Sequence, residues 1–194
     1  MTQPAALIFD CDGTLADTMP IHFLAWQEAV EPAGLVFDED RFYSLGGVPT
    51  DKIIALLSEE QNKPVDVTQL AIEKEEAFDK LISRVEPIEP IVAIVKEHHG
   101  QLPLAVGSGG IRATVIATLE AIGIRDMFEH IVAAEDTERH KPEPDVYLRA
   151  AELLGVDPTQ CRVYEDTDLG IEAGKRAGME CFDVRTVHTP KRWT

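Results

Sequence analysis

The sequence predicts an α/β protein, a Rossmann-like parallel sheet flanked by helices, with a small all-helical cap inserted after the first strand. Short aliphatic runs alternate with segments of helical periodicity along most of the 194 residues, which is typical of a parallel sheet flanked by helices. The first run, residues 5–9, is apolar throughout and stops at Asp10, as expected of a strand buried on both faces. One long stretch shows helical patterns only, and it predicts the cap.

The predicted strands lie at residues 5–9, 102–106, 130–133, 162–164 and 181–184, and the helices between them at residues 90–99, 112–122, 144–154 and 169–177. A glycine follows closely after each of these helices, and glycine readily takes the left-handed conformation that ends a helix. We therefore expect the helices to stop near Gly100, Gly123, Gly155 and Gly178.

The stretch from residue 18 to residue 86 contains no convincing strand, but it has helical patterns at residues 20–30, 50–60 and 66–85. Pro20 lies at one end of it, and Pro87 and Pro90 lie at the other. Thr50 follows a tight glycine loop and is the expected N-cap of the second helix. The predicted domains are therefore a core of residues 1–17 and 87–194 and a helical cap of residues 18–86.

Composition excludes several classes of protein. The 35 acidic and 18 basic residues give a formal net charge of −17, and no Lys/Arg cluster is longer than a pair, so we expect no nucleic-acid partner. The longest aliphatic runs, residues 53–57 and 91–95, are far shorter than the roughly 20 apolar residues of a membrane-spanning helix. The first residues lack a secretory signal, and the three cysteines have neither disulfide-framework nor zinc-site spacing. We expect a soluble, cytoplasmic monomer.

Acidic residues follow two of the predicted strands, at the edge where open parallel sheets bind their ligands. Asp10 and Asp12 come after the first strand, and Glu165 and Asp166 come after the fourth. Carboxylates placed directly after buried strands need a cation nearby. A calcium loop is excluded, because Gly13 is the fourth residue of the segment and such loops need glycine at the sixth. The Glu165-Asp166 pair taken alone is also compatible with a helix cap.

Residues suited to binding an anion follow at the other strand ends. Ser108 and Gly109, at the start of a helix, can form a nest for phosphate oxygens. Lys141, which precedes another helix, adds a positive charge. Taken singly, a glycine-serine turn and a surface lysine are both ordinary features, so the prediction depends on their joint order along the chain.

In that order, the motifs resemble those of the haloacid dehalogenase-like superfamily of phosphoryl-transfer enzymes. The resemblance covers nearly the whole chain, and the helical insert resembles the small four-helix-type cap of that superfamily. The matching segments are residues 8–18, which include Asp-Cys-Asp-Gly-Thr, residues 106–109, residues 141–145, and residues 164–166 with 170–174.

This resemblance implies a reaction and a role for each motif residue. Asp10 would be the nucleophile that forms an aspartyl-phosphate, and Asp12 the general acid and base. Mg²⁺ would be held by Asp10, by the main-chain carbonyl of Asp12 and by Asp166, with Glu165 contributing directly or through water. Phosphoryl oxygens would be contacted by Ser108, Gly109 and Lys141.

The cap bears on the substrate, a small phosphomonoester. The segment that contains His22 resembles the start of the cap in β-phosphoglucomutase-like members, which also carry a Lys and an Arg around the glycine turn of the cap. Neither cation is present at residues 45–50, so we expect a phosphatase, similar to the branch that includes fructose-1-phosphate phosphatases. Candidate substrate contacts in the cap are His22, Gly47 and Thr50. The alternatives are a β-phosphoglucomutase-type isomerase and a non-catalytic, metal-binding regulatory module.

Overall fold

The computed structural model describes residues 3–46 and 48–192. Its strands are β1 (Ala6–Phe9), β2 (Ala16–Asp17), β3 (Glu86–Pro87), β4 (Leu104–Gly107), β5 (His130–Val132), β6 (Cys161–Glu165) and β7 (Glu180–Asp183). Its helices are α1 (Met19–Val30), α2 (Glu39–Ser44), α3 (Thr50–Glu60), α4 (Val67–Leu81), α5 (Glu89–His98), α6 (Arg112–Ala121), α7 (Asp145–Leu154) and α8 (Asp168–Arg176). The chain divides into two compact units, one comprising the residues up to Asp17 and Val85–Pro190, the other Thr18–Arg84 with Lys191 and Arg192.

The first unit is built on a five-stranded sheet in the order β5-β4-β1-β6-β7, in which all neighbouring strands are parallel. This confirms the predicted α/β class. Strand β1 is central, and Leu7 lies opposite Leu104 on one side and Arg162 on the other. The carboxyl ends of β4, β1 and β6 are therefore adjacent, which brings the residues that follow these strands to one edge of the sheet.

Both faces of the sheet are covered, because successive residues of a strand point to opposite sides. Leu7 and Phe9 of β1 pack on one face, in a cluster to which α5 and α6 also contribute. Ala6 and Ile8 pack on the other face, with residues of α7 and α8 such as Tyr147. All four residues of β1 are at most 1% exposed, which explains why the strand is apolar throughout.

The second unit consists of α1–α4, and its strongest helix pairing is between α1 and α4. Aromatic and aliphatic side chains fill its core, among them Phe23, Trp26, Phe37 and Ile54. Among the described residues of both units, no helix is long and apolar enough to cross a membrane.

Several element boundaries differ from those predicted. Strand β4 begins at Leu104, because Pro103 has no N–H to donate to a ladder. The fourth helix of the second unit ends at Leu81 and continues as a 3₁₀ turn, Ile82–Arg84. Helix α2 was not predicted, since six residues are too few to show a period; the carboxylate of Asp38 caps it by accepting the N–H of Arg41.

Two further differences concern Thr50, at the start of α3, and Glu86, near the point where the chain re-enters the sheet unit. Thr50 is not an N-cap as predicted, because Pro49 holds that position and Thr50 is the first helical residue. Glu86, expected at the end of the helical insert, belongs to β3, which pairs antiparallel with β2 in the first unit.

Candidate active site at the carboxyl ends of the strands

Asp10 lies at the end of β1, where its N–H donates to the carbonyl of Tyr164 on β6. Its side chain is almost fully buried, and its Oδ1 accepts a hydrogen bond from Lys141 Nζ at 2.6 Å. The ammonium of Lys141 also donates to Glu165 Oε1 at 2.7 Å. One lysine therefore joins Asp10, which follows β1, to Glu165, the last residue of the neighbouring strand β6.

The segment that carries Lys141 is held by ion pairs on either side of it. Arg139 donates to both carboxylate oxygens of Asp145, at 2.9 and 2.8 Å, and Arg176 on α8 donates to Glu143 at 2.9 Å. These pairs are exposed, so each contributes little to stability. They do restrict the backbone that presents Lys141 to the site.

The turn after β1, residues 10–14, lies close to Asp166. Thr14 Oγ1 donates to Asp166 Oδ1 at 2.9 Å. Gly13 has a φ of 78°, and a Cβ atom at that position would collide with the Asp166 carboxylate. Asp12 and Ala16 form an isolated bridge, and the Gly13 N–H donates to the carbonyl of Ala16. Glycine at residue 13 thus allows both the tight turn and the approach of Asp166.

Ser108 directly follows β4 and is 2% exposed. Its N–H donates to the carbonyl of Val132, and its hydroxyl accepts the N–H of Gly110 at 3.0 Å. A Cβ atom at Gly110 would lie 3.3 Å from Ser108 Oγ and 3.5 Å from Asp12 Oδ2, so the turn lies beside the first motif. Gly109 is exposed and has open space next to it. That this turn binds phosphate stays a prediction.

The local charge is strongly negative, because among the described residues Lys141 is the one cation paired with the carboxylates of this site, which are Asp10, Asp12, Glu165 and Asp166. Burial raises the pKa of Asp10 well above its usual range, and the Lys141 ammonium offsets only part of this effect. Burial, followed by the Glu165 carboxylate, raises the pKa of Asp166 to about 7. Burial opposes the charge of Lys141, but Asp10 and Glu165 outweigh it and hold the pKa of Lys141 well above its usual range. A second cation would relieve the remaining repulsion.

The donor set fits a hard divalent cation, because it consists of oxygen atoms only. Within the described part of the chain, no group of three or more His, Cys, Asp or Glu side chains is arranged to hold a metal ion. The ligand set predicted from the sequence consists of the Asp10 and Asp166 carboxylates and the main-chain carbonyl of Asp12, with Glu165 contributing directly or through water. Glu165 is already engaged, since Oε1 accepts from Lys141 and Tyr147 and Oε2 accepts from the N–H and hydroxyl of Thr167.

The raised pKa values of Asp10 and Asp166 predict that Mg²⁺ stabilises the protein more at high pH than at low pH. The metal-free folded protein retains protons on Asp10 and Asp166 that the unfolded chain releases above about pH 4, so its stability falls as pH rises toward about 7. Mg²⁺ requires the ionised carboxylates. At a hundredfold excess over Kd we expect Mg²⁺ to add about 2.7 kcal/mol at pH 8, or about 5–10 °C in Tm.

Scanning calorimetry with and without Mg²⁺ measures this difference. At pH 5 the shift in Tm should nearly vanish, and Asp166→Asn should abolish it at both pH values. Equal shifts at pH 5 and pH 8 would contradict the assignment of Asp10 and Asp166 as the groups that exchange protons for the metal.

The second unit contains its own polar cluster, around the predicted residue His22. The His22 ring stacks on Phe78 with the ring centroids 4.1 Å apart, and its Nδ1 lies 3.1 Å from Lys74 Nζ. Lys74 also donates to Glu75, whose Oε1 accepts the hydroxyl of Thr50 at 3.3 Å. The cluster therefore contains two of the three predicted cap residues. Gly47 lies outside the described residues.

Sequence reasoning missed Lys74, Tyr147 and Thr167. Lys74 is 4% exposed, and a lysine inside an otherwise amphipathic helix gave no signal of burial. Tyr147 has the helical spacing of an ordinary core residue, but its hydroxyl lies at Glu165. Thr167 could have been found, since a threonine before a helix is a typical N-cap and its hydroxyl accepts the N–H of Gly170.

A buried aspartate at a strand end, paired with a lysine and next to further carboxylates, indicates a phosphoryl-transfer enzyme. The comparisons agree with this class. The haloacid dehalogenase-like hydrolase family matches residues 7–184. The chain belongs to this family and is a phosphatase within it.

Three similar proteins illustrate the relationship. The fructose-1-phosphate phosphatase YqaB of Escherichia coli is 44% identical over 182 residues, covering 93% of this chain and 96% of the relative. The β-phosphoglucomutase of Bacillus subtilis is 31% identical over 188 residues, covering 92% and 82%. The crystal structure of CbbY from Rhodobacter sphaeroides in complex with phosphate superposes with a TM-score of 0.82 at 27% identity, covering 92% and 85%.

Proposed function

We propose that the protein is a Mg²⁺-dependent phosphatase that hydrolyses a small phosphorylated sugar through an aspartyl-phosphate on Asp10. The observation that carries this proposal is the pair formed by the buried Asp10 and Lys141, 2.6 Å apart at the carboxyl end of the central strand. Asp10 combines burial with a fixed carboxylate orientation, as a nucleophile requires. Lys141 supplies a positive charge at the place where an incoming phosphate would otherwise be repelled.

In the first step, an Asp10 carboxylate oxygen bonds to phosphorus while the bond from phosphorus to the sugar oxygen breaks. Asp12 donates a proton to the departing sugar oxygen. In the second step, Asp12 takes a proton from water, and the water oxygen bonds to phosphorus as the aspartyl-phosphate bond breaks. This releases inorganic phosphate and restores both carboxyl groups. Dividing the hydrolysis into two displacements avoids one difficult direct attack by water.

The remaining core residues bind and orient the phosphoryl group. Lys141 and the turn of Ser108 and Gly109 offer N–H and hydroxyl groups to its oxygens. Mg²⁺, held by Asp10, Asp166 and the carbonyl of Asp12, would supply charge neutralisation to the phosphoryl oxygens. Glu165, with both oxygens occupied by protein donors, keeps Lys141 in place.

A phosphorylated sugar is proposed as the substrate because the 44% identical relative is named as a fructose-1-phosphate phosphatase. His22, Gly47 and Thr50 are proposed to contact the sugar part. A mutase is the second candidate, favoured by the 31% identical β-phosphoglucomutase. It is less well supported, because residues 45–50 carry neither Lys nor Arg to hold a second phosphate.

A panel of hexose, pentose and polyol phosphates, assayed with Mg²⁺, tests the proposal. We expect free phosphate from at least one sugar phosphate, with fructose 1-phosphate among the best substrates. Glucose 6-phosphate formed from β-glucose 1-phosphate without net phosphate release would establish the mutase instead. No turnover of any phosphoester would favour a metal-binding regulatory module. We further propose a cytoplasmic monomer, which cell fractionation and sedimentation would test.

A further inference from the structure

We propose that Tyr147 is a positioning residue: its hydroxyl shares Glu165 Oε1 with Lys141 and so keeps the ammonium of Lys141 at Asp10. This inference rests on the proposed phosphatase function. Tyr147 lies on α7 and is fully buried. Its hydroxyl is 3.3 Å from Glu165 Oε1, and Lys141 Nζ lies 5.0 Å from the centre of its ring.

The surroundings of Tyr147 hold its ring in one place. A Cβ atom at Gly107, the last residue of β4, would lie 3.1 Å from two ring carbons of Tyr147. A larger residue there would push the ring away, so glycine at the strand end makes room for it. The ring therefore packs in the core on one side and lies beside the Lys141 ammonium on the other, at a distance suited to a cation–π interaction.

The Glu165 carboxylate is equally restricted. Its Oε2 accepts two hydrogen bonds from Thr167, and a Cβ atom at Gly170 would collide with the carboxylate. The other oxygen, Oε1, accepts one hydrogen bond from Lys141, at 2.7 Å, and one from the Tyr147 hydroxyl, at 3.3 Å. Because the carboxylate is held in place, the share that Tyr147 takes determines how strongly Glu165 attracts Lys141.

Lys141 is in turn shared between Glu165 and Asp10, at nearly equal distances of 2.7 and 2.6 Å. If the Tyr147 hydroxyl is removed, Oε1 loses its other donor and attracts the ammonium more strongly. Lys141 then moves toward Glu165 and away from Asp10, where the phosphoryl group is transferred. Small displacements of a charged group at this point cost a large part of its catalytic effect.

The test is Tyr147→Phe, which removes one oxygen atom and keeps the ring. We expect kcat for the best sugar phosphate to fall about tenfold, equivalent to the loss of about 1.4 kcal/mol, with KM changed less than threefold. The Kd for orthovanadate should rise by a similar factor. Tyr164→Phe is the matched control, since Tyr164 is also buried and its ring stacks on Phe9; its kcat should stay within twofold.

A double-mutant cycle tests whether the Tyr147 hydroxyl acts through Lys141. In a Lys141→Met background, Tyr147→Phe should change the Kd for orthovanadate less than twofold, because the residue it positions is absent. An unchanged kcat in Tyr147→Phe, an equal loss in Tyr164→Phe, a full tenfold effect in the Lys141→Met background or a failure of Tyr147→Phe to fold would each overturn the proposal. If the wild-type protein hydrolyses no phosphomonoester, the proposed function has failed instead, which the control assay shows separately.

Discussion

Replacing Asp10 with Asn is expected to lower kcat for sugar phosphate hydrolysis by at least about 10⁴-fold. The amide is a poor nucleophile and cannot form the aspartyl-phosphate. Its shape matches that of the carboxylate, and its oxygen can still accept the hydrogen bond that Asp10 Oδ1 accepts from Lys141. The loss should therefore come from the chemical step. Phosphate release under saturating substrate and Mg²⁺ measures it.

Two controls separate chemistry from folding. Tm of metal-free Asp10→Asn should lie within a few degrees of the wild-type value, because the substitution removes one buried negative charge from a site with an excess of them. Asp168→Asn makes the same change at an exposed residue on α8 and should keep kcat within twofold. If Asp10→Asn retains more than about 1% of the wild-type kcat, Asp10 is not the nucleophile.

Replacing Lys141 with Met should affect both catalysis and stability. Without the ammonium, kcat should fall about 10²–10³-fold, since a preorganised charge next to the reacting phosphoryl group is lost. The carboxylates of Asp10 and Glu165 also lose the cation that both contact in the buried site. Breaking a buried ion pair by removing one partner costs about 3–5 kcal/mol, so the metal-free variant should be less stable by about that amount at pH 8.

The direction of the pH dependence distinguishes this effect from a packing defect. Protonated carboxyl groups do not need a counter-ion, so the destabilisation of Lys141→Met should shrink as pH falls from 8 to 5. Denaturant unfolding of the metal-free protein at both pH values measures it, with Lys175→Met as the control at an exposed position on α8. A destabilisation of the same size at both pH values would indicate lost packing of the lysine stem instead.

The positions of the acidic and basic site residues could be predicted because they follow from topology. In a parallel sheet, residues at the carboxyl ends of neighbouring strands meet at one edge, whatever their separation in the sequence. Asp10, Ser108 and Glu165 are therefore close in space although they are far apart in sequence. Lys141 joins them because its segment leads into α7. This helix lies between β5 and β6 in the sequence and packs on β5, β4 and β1 of the sheet.

Other features could not be predicted, because they depend on side-chain packing rather than on strand order. Tyr147 has the spacing of a core residue, and only the coordinates show that its hydroxyl reaches Glu165. Lys74 is buried beside His22 because α4, which carries Lys74, packs against α1, which carries His22. Thr50 resembles an N-cap in sequence, but Pro49 occupies that position and Thr50 is the first helical residue; its hydroxyl instead donates to Glu75.

The most direct test is to trap the covalent intermediate. Asp12→Asn should still transfer phosphate from an aryl phosphate, whose leaving group needs little protonation, but it lacks the base that activates water. The phosphoenzyme should therefore accumulate. After acid quenching and digestion, mass spectrometry should find one phosphoryl group on the peptide that contains Asp10, labile to hydroxylamine, and none in the Asp10→Asn/Asp12→Asn variant. A phosphoryl group on another residue, or rapid aryl phosphate turnover with no phosphopeptide, would contradict the mechanism.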